Sequence, residues 1–265
     1  MSGIINLFLP LVIQILVLYF LSRLLNRLIL RRLGKGWYLA TMWPGVMIHE
    51  FSHLVGCLLT FTKVYRIHLF SPSQDTLGFV EHEKRHNPIV NIIISIAPLF
   101  GVTTVIWLLT KYLWPDLYMA QVSSLQAALI DFTTFQNFFN FTKDYFLQYW
   151  IYIKDLISSF DLGNWQTYVF IYLMLTLSSQ AAPSRQDLKH TYAGILGIVL
   201  FFVLIYYLDQ WLQVPITWTI VQWLSVPVFL ATSFLTYGII FTGISVIIML
   251  LISLVVSVFR RGVSR

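Results

Sequence analysis

The sequence predicts an all-α polytopic membrane protein of about six transmembrane helices, with a small β-hairpin between the second and third spans. Three observations carry this expectation. The 265 residues are 58% hydrophobic and only 11% charged, where a soluble domain averages about 25% charged residues. The apolar runs are long enough for helical spans of about 20 residues, and too continuous for the alternating strands of a barrel. One early polar stretch, 62–87, holds two short runs rich in β-branched and aromatic residues, the pattern of a hairpin.

In chain order, the first span is 4–21, interrupted only by Asn6, Pro10 and Gln14. The opening residues lack the positive start and small-residue cleavage site of a secretory signal, so this span is expected to be retained. Arg23, Arg27, Arg31, Arg32 and Lys35 come next, with Leu24, Leu25, Leu28, Ile29 and Leu33 between them. That stripe fits a helix leaving the membrane along the headgroups, until Gly34 and Gly36 break it. The second span is 37–61. The hairpin is expected after it, with strands at 64–70 and 77–80 around Ser-Pro-Ser-Gln-Asp-Thr. Its edge beside a site could pair with an extended peptide, or the stretch is an ordinary solvent loop. The third span is 88–110, where Asn91 and Ser95 share a face that either lines a cavity or hydrogen-bonds a neighbouring helix.

Segment 111–164 is long and aromatic, with three lysines (Lys111, Lys143, Lys154) against five aspartates (Asp116, Asp131, Asp144, Asp155, Asp161). Amphipathic interfacial helices suit it. A short fourth apolar run, 165–180, ends at Pro183; the fifth span is 192–212. From 218 to 259 the chain is apolar for longer than one span needs, and Pro227 interrupts it; one long span with an interfacial prelude is expected. The units are therefore 1–36, a first helix and basic surface segment; 37–213, the core; and 214–265, a terminal span with a basic tail.

The net charge of +6 sits in short clusters at span ends rather than on one face, so no nucleic-acid partner is expected. The single cysteine, Cys57, excludes an internal disulfide. Grouping the hairpin and the 183–190 turn with the tail gives nine bases on that side against eight on the other, which decides nothing by the positive-inside rule. The acidic aromatic segment tips the expectation towards a cytoplasmic position for the hairpin and the 183–190 turn, in a plasma membrane.

The chemistry lies in the second span, where residues 47–54 read Met-Ile-His-Glu-Phe-Ser-His-Leu. Residues four apart share a helix face, so His49 and His53 can hold one metal ion from the same side. Glu50 beside them is placed to take a proton from water, as in zinc hydrolases. With 6 His in the chain, a chance match should occur in roughly two of a thousand shuffled sequences. Three polar groups satisfied within a bundle is the bland alternative, and ionisable groups at membrane depth are costly enough to count against it. Cys57 lies four residues past His53, where a metal contact is conceivable and a small buried residue more common. Glu81, His82, Glu83 and His86 fit an exposed loop better than a ligand set.

A membrane-embedded H-E-x-x-H, a hairpin after the helix that bears it, and an Asp on a later Pro-broken helix together resemble the site-2-protease family of intramembrane metallopeptidases, over roughly 37–190. That resemblance implies zinc (Zn2+) held by His49, His53 and Asp187, with Glu50 as base. It also implies a membrane-protein or membrane-peptide substrate cleaved within or near the bilayer. The family's second motif has Asn and Pro ahead of Leu-Asp-Gly, whereas this chain has Ala-Pro-Ser-Arg-Gln-Asp-Leu-Lys, which marks a divergent member. A class resembling the CAAX-processing enzymes needs a Glu downstream, and none comes after Glu83. A non-proteolytic protein of the same fold that binds or assists membrane partners, and an ion or metal transporter, stay open.

Elimination among the acidic residues also favours Asp187, because Glu50 is taken as the base and the others fall in the hairpin, in the aromatic segment, or at the far end of the fifth span. His190 shares its face as a reserve. The competing role for Asp187 is a capping box with Ser184 at the start of the fifth helix.

Overall fold

The computed structural model describes residues 2–71, 77–83, 87–115, 160–214 and 216–263, with a few positions between 143 and 158. Helix α1 (Ser2–Arg32) runs unbroken through Pro10 into the basic stretch. No separate surface helix forms, because the leucine stripe continues the apolar face, and Leu25 and Ile29 are buried. Gly34, at φ 87°, ends it. Helix α2 (Lys35–Leu59) carries the motif. Strands β1 (Val64–His68) and β2 (Phe79–His82) pair antiparallel, with Val64 opposite His82 and His68 opposite Phe79.

Helix α3 (Pro88–Leu113) starts where Asn87 Oδ1 accepts the Ile89 N–H at 2.9 Å. Pro88 then occupies a first-turn position whose missing N–H costs nothing. Helix α4 (Trp165–Gln180) begins the same way, at Asn164. After the break at Pro183 come α5 (Arg185–Leu212) and a single unbroken α6 (Ile216–Val263). Among the described residues, three stretches are long and apolar enough to cross a membrane: Phe8–Arg32, Ile89–Leu113 and Ala231–Val255. The protein is thus a largely helical membrane protein with one small antiparallel sheet. The aromatic segment expected at the interface falls mostly outside the described residues.

The first and last helices pack side by side and point the same way. Gln14 Nε2 donates to Thr236 Oγ1 at 3.3 Å, Leu18 lies against Gly238, and Leu25 and Ile29 meet Val246 and Met249. This separates the root of the hairpin from the tail. A helix parallel to α1 ends where α1 ends, beside 31–35. The hairpin instead grows from the opposite end of α2, where the Thr62 N–H donates to the Cys57 carbonyl at 2.8 Å. How two helices at opposite ends of the chain lie against each other is set by packing, which no local pattern reports.

From that end the hairpin doubles back along α2. Phe70 and Leu77 pack against the cluster of Leu25, Ile29, Met42, Val46, Val246 and Met249, and the Ser71 N–H closes onto the Leu77 carbonyl at 2.6 Å. Both ends of the turn are half-buried, unlike those of an ordinary solvent loop. The other core, of Leu18, Val102, Ile106, Phe170, Met174, Tyr237 and Phe241, ties α1, α3, α4 and α6 together.

Candidate metal centre

On α2, the four-residue spacing puts the rings of His49 and His53 5.0 Å apart at 77° to one another. Only 7% and 8% of the two residues is exposed. The first turn of α5 brings Asp187 to them: Oδ1 lies 3.2 Å from His53 Nε2 and Oδ2 lies 3.6 Å from His49 Nε2. One ligand atom from each of the three residues lies within 4.8 Å of the others, which makes this a group able to hold a metal ion among the described residues.

The other ring nitrogens are spoken for. His49 Nδ1 is 2.7 Å from the Gln180 carbonyl and His53 Nδ1 is 2.8 Å from the Ile94 carbonyl. A carbonyl only accepts, so each neutral ring carries its proton on Nδ1 and turns the Nε2 lone pair inward. Metal-ligating histidines are commonly oriented this way. The inward lone pairs meet a carboxylate, which is also an acceptor. Three electron-rich groups facing one another need a positive charge between them, either a proton on one ring, which then pairs with Asp187, or a metal ion. Two imidazoles and one carboxylate, with a fourth position open, are a donor set that fits catalytic zinc.

Both carbonyls lack the N–H that would ordinarily bond them within their own helix. The N–H that would ordinarily bond Ile94 belongs to residue 98, which is Pro98 and has none. Gln180 is the last residue of α4, where carbonyls lack partners within the helix. Glycines on α2 let the neighbouring helices come close enough to use them. A Cβ on Gly45 would lie 2.5 Å from the Thr176 carbonyl oxygen of α4, and one on Gly56 3.0 Å from Ala97 Cβ of α3.

Asp187 stands where both of the roles raised by the sequence need it. Its N–H donates to Ser184 Oγ at 3.2 Å and its Oδ2 accepts the Ser184 N–H at 2.6 Å, a complete capping box. Oδ1 stays directed at His53. A capping box holds its acidic side chain in one rotamer, and here that rotamer faces the histidines.

Glu50 is half-buried beneath the hairpin. Gly78 passes so near that a Cβ there would stand 2.6 Å from Glu50 Cγ. Cys57 is fully buried, and among the described residues no metal-binding group includes it. In the hairpin, Glu81 faces Arg66 at 3.9 Å on an exposed surface, and His82 Nδ1 lies 3.0 Å from the Glu83 carbonyl. Neither Glu81 nor His82 joins the cluster. Ser95 is buried beside Ile94. His86 lies outside the described residues, as does the side chain of His190. Sequence reasoning missed the two carbonyls; the signal that could have found one of them is Pro98, four residues past Ile94. Comparison with protein-family models, curated proteins and solved structures returned no match for the chain.

Proposed function

We propose that the protein is a zinc-dependent intramembrane endopeptidase, a divergent relative of the site-2-protease family, which hydrolyses peptide bonds of membrane-spanning substrates. The observation that supports this best is the inward-turned pair of His49 and His53 Nε2 atoms converging on Asp187, one residue away from a carboxylate that is not part of the cluster. When bound, zinc supplies the Lewis acidity that makes water nucleophilic at neutral pH and polarises a carbonyl. Glu50 takes the proton as the water oxygen adds to the scissile carbonyl carbon, and passes it to the nitrogen as the C–N bond breaks. Asp187 balances the charge, and its cap keeps it from turning away.

A helix hides its peptide bonds, so a substrate span has to unwind before it is cut. The hairpin beside Glu50 offers strand edges, with Tyr65 and Ile67 exposed, on which an extended segment can pair. Purified wild-type protein should carry about one zinc per chain, and the His49→Ala/His53→Ala double variant none. Full zinc in the double variant would refute the metal centre. Zinc-loaded wild type that leaves a broad panel of single-span substrates uncut would instead favour the non-proteolytic role, binding or assisting membrane partners.

Helix directions bear on topology. Tyr172 Oη donates to the Ala40 carbonyl and Gln180 meets His49, so α4 runs with α2. Phe202 of α5 packs on Phe8, near the start of α1, at 5.8 Å. On this basis α4 and α5 make one broken crossing. With α1, α2, α3 and α6, the crossings number five rather than six. By position in the chain, Arg23, Arg27, Arg31, Arg32, Lys35, Arg260, Arg261 and Arg265 belong to the shared end of α1 and α6, against Lys63, Arg66, Lys84 and Arg85 for the hairpin end. Eight against four favours a cytoplasmic α1–α6 end. The far end of the hairpin reaches towards that half, which keeps the catalytic face cytoplasmic. Reporters fused after Arg265 and at the amino terminus should therefore give opposite signals, cytoplasmic and external; equal signals would restore an even number of crossings.

A further inference from the structure

We propose that Pro98 is a positioning residue for the metal centre: by withholding an N–H from α3, it dedicates the Ile94 carbonyl to His53. The inference rests on the zinc reading above and concerns how that site is held. The Ile94 carbonyl lies 2.8 Å from His53 Nδ1. In an unbroken helix that oxygen would be taken by the N–H four residues on. A carbonyl has two lone pairs, but the axial one is best aligned with its own helix. A second donor would pull the oxygen back into the ladder and away from the ring. Residue 98 is the position whose N–H competes for Ile94, and it holds the residue type that has no N–H.

The cost of this arrangement points the same way. A proline inside a helix removes a ladder hydrogen bond and crowds the preceding turn, and Pro98 is buried within a helix of 26 residues. Nothing in the course of α3 requires a break there, since the helix continues for 15 residues to Leu113. The released carbonyl meets a buried imidazole, and an imidazole bonded at Nδ1 presents Nε2 to the centre of the cluster. Gly56 and Ala97 supply the close approach that lets the bond form: a Cβ on Gly56 would lie 3.2 Å from Ile94 Cα. The same device recurs across the site. The Gln180 carbonyl that bonds His49 is free because α4 stops there, and the Ser184 N–H that would otherwise bond it is held by Asp187 Oδ2.

The test is Pro98→Ala in the full chain, read by zinc affinity in chelator competition and by the visible absorption of the cobalt-substituted protein. Alanine restores the N–H and adds no bulk. The expected result is zinc binding weaker by roughly tenfold or more, as for loss of other groups that orient metal ligands, with shifted cobalt bands. The metal-free variant should melt no lower than metal-free wild type, because alanine is the better helix former. A role for Pro98 in packing alone predicts the reverse, a lower melting point with zinc affinity unchanged. Pro10→Ala, in α1 and away from the site, is the control and should bind zinc as wild type does. Should Pro98→Ala fold poorly, Pro98→Gly restores the same N–H and is read in the same two ways. Wild-type affinity in a folded Pro98 variant would overturn the inference while leaving the metal centre standing. Absence of zinc from wild type itself would overturn both.

Discussion

Glu50→Gln protein is expected to purify with its zinc intact and to cleave a co-expressed single-span substrate about 10²- to 10⁴-fold more slowly, the usual range for loss of a general base. The split between metal and rate is the informative part. Glu50 sits beside His49 yet outside the group formed by His49, His53 and Asp187, so its carboxylate is not needed to hold the ion. Glutamine has the same shape and fits under Gly78, where the Glu50 side chain lies. The change therefore removes basicity and little else. Metal analysis and substrate turnover on the same preparation check it. Zinc lost together with activity would make Glu50 a ligand, and full activity would put the base elsewhere.

Asp187→Asn should have the opposite signature at the metal, with zinc affinity lowered by two orders of magnitude or more, on the order of losing a ligand rather than a group behind one. Its effect on the fold should be small or favourable. The amide oxygen can still accept the Ser184 N–H, as Oδ2 does at 2.6 Å. The amide nitrogen then stands near the place of Oδ1, 3.2 Å from His53 Nε2. A donor there meets the lone pair that the Ile94 carbonyl has turned inward. In the metal-free site the amide nitrogen gives His53 Nε2 a donor, which wild type obtains only by protonating a ring that then pairs with Asp187. Thermal melts in chelator at alkaline pH, where the rings are neutral, should thus rank the variant at or above wild type, while zinc should raise the melting point of wild type alone. A zinc-loaded, fully active Asp187→Asn protein would reduce Asp187 to a helix cap.

Legibility in the sequence tracks the range of the interactions. Helices α3 and α4 were legible because apolar runs begin at Asn87 and Asn164, whose side chains cap locally. The motif histidines and Asp187 were legible because their types are rare in apolar surroundings. The direction of α6 against α1 was not, since it depends on Gln14 meeting Thr236 across 222 positions. Phe70 and Leu77 looked like the ends of two strands. Only the folded chain sets them against Ile29 and Met249. The groups that orient the histidines are backbone carbonyls, to which the side chains of Ile94 and Gln180 give no clue. Their availability depends on residues further along the chain, Pro98 in one case and the end of α4 before Pro183 in the other.

The seat of the hairpin also orders the assembly of the protein in time. During synthesis α1, α2 and the hairpin emerge first, but part of the surface that receives Phe70 and Leu77 belongs to Val246 and Met249 of α6, which emerges last. Until α6 has docked along α1, the hairpin lacks the part of its floor that Val246 and Met249 supply. Contacts that join the two ends of a chain form late in folding. The covering of the site is thus completed only when the last helix docks.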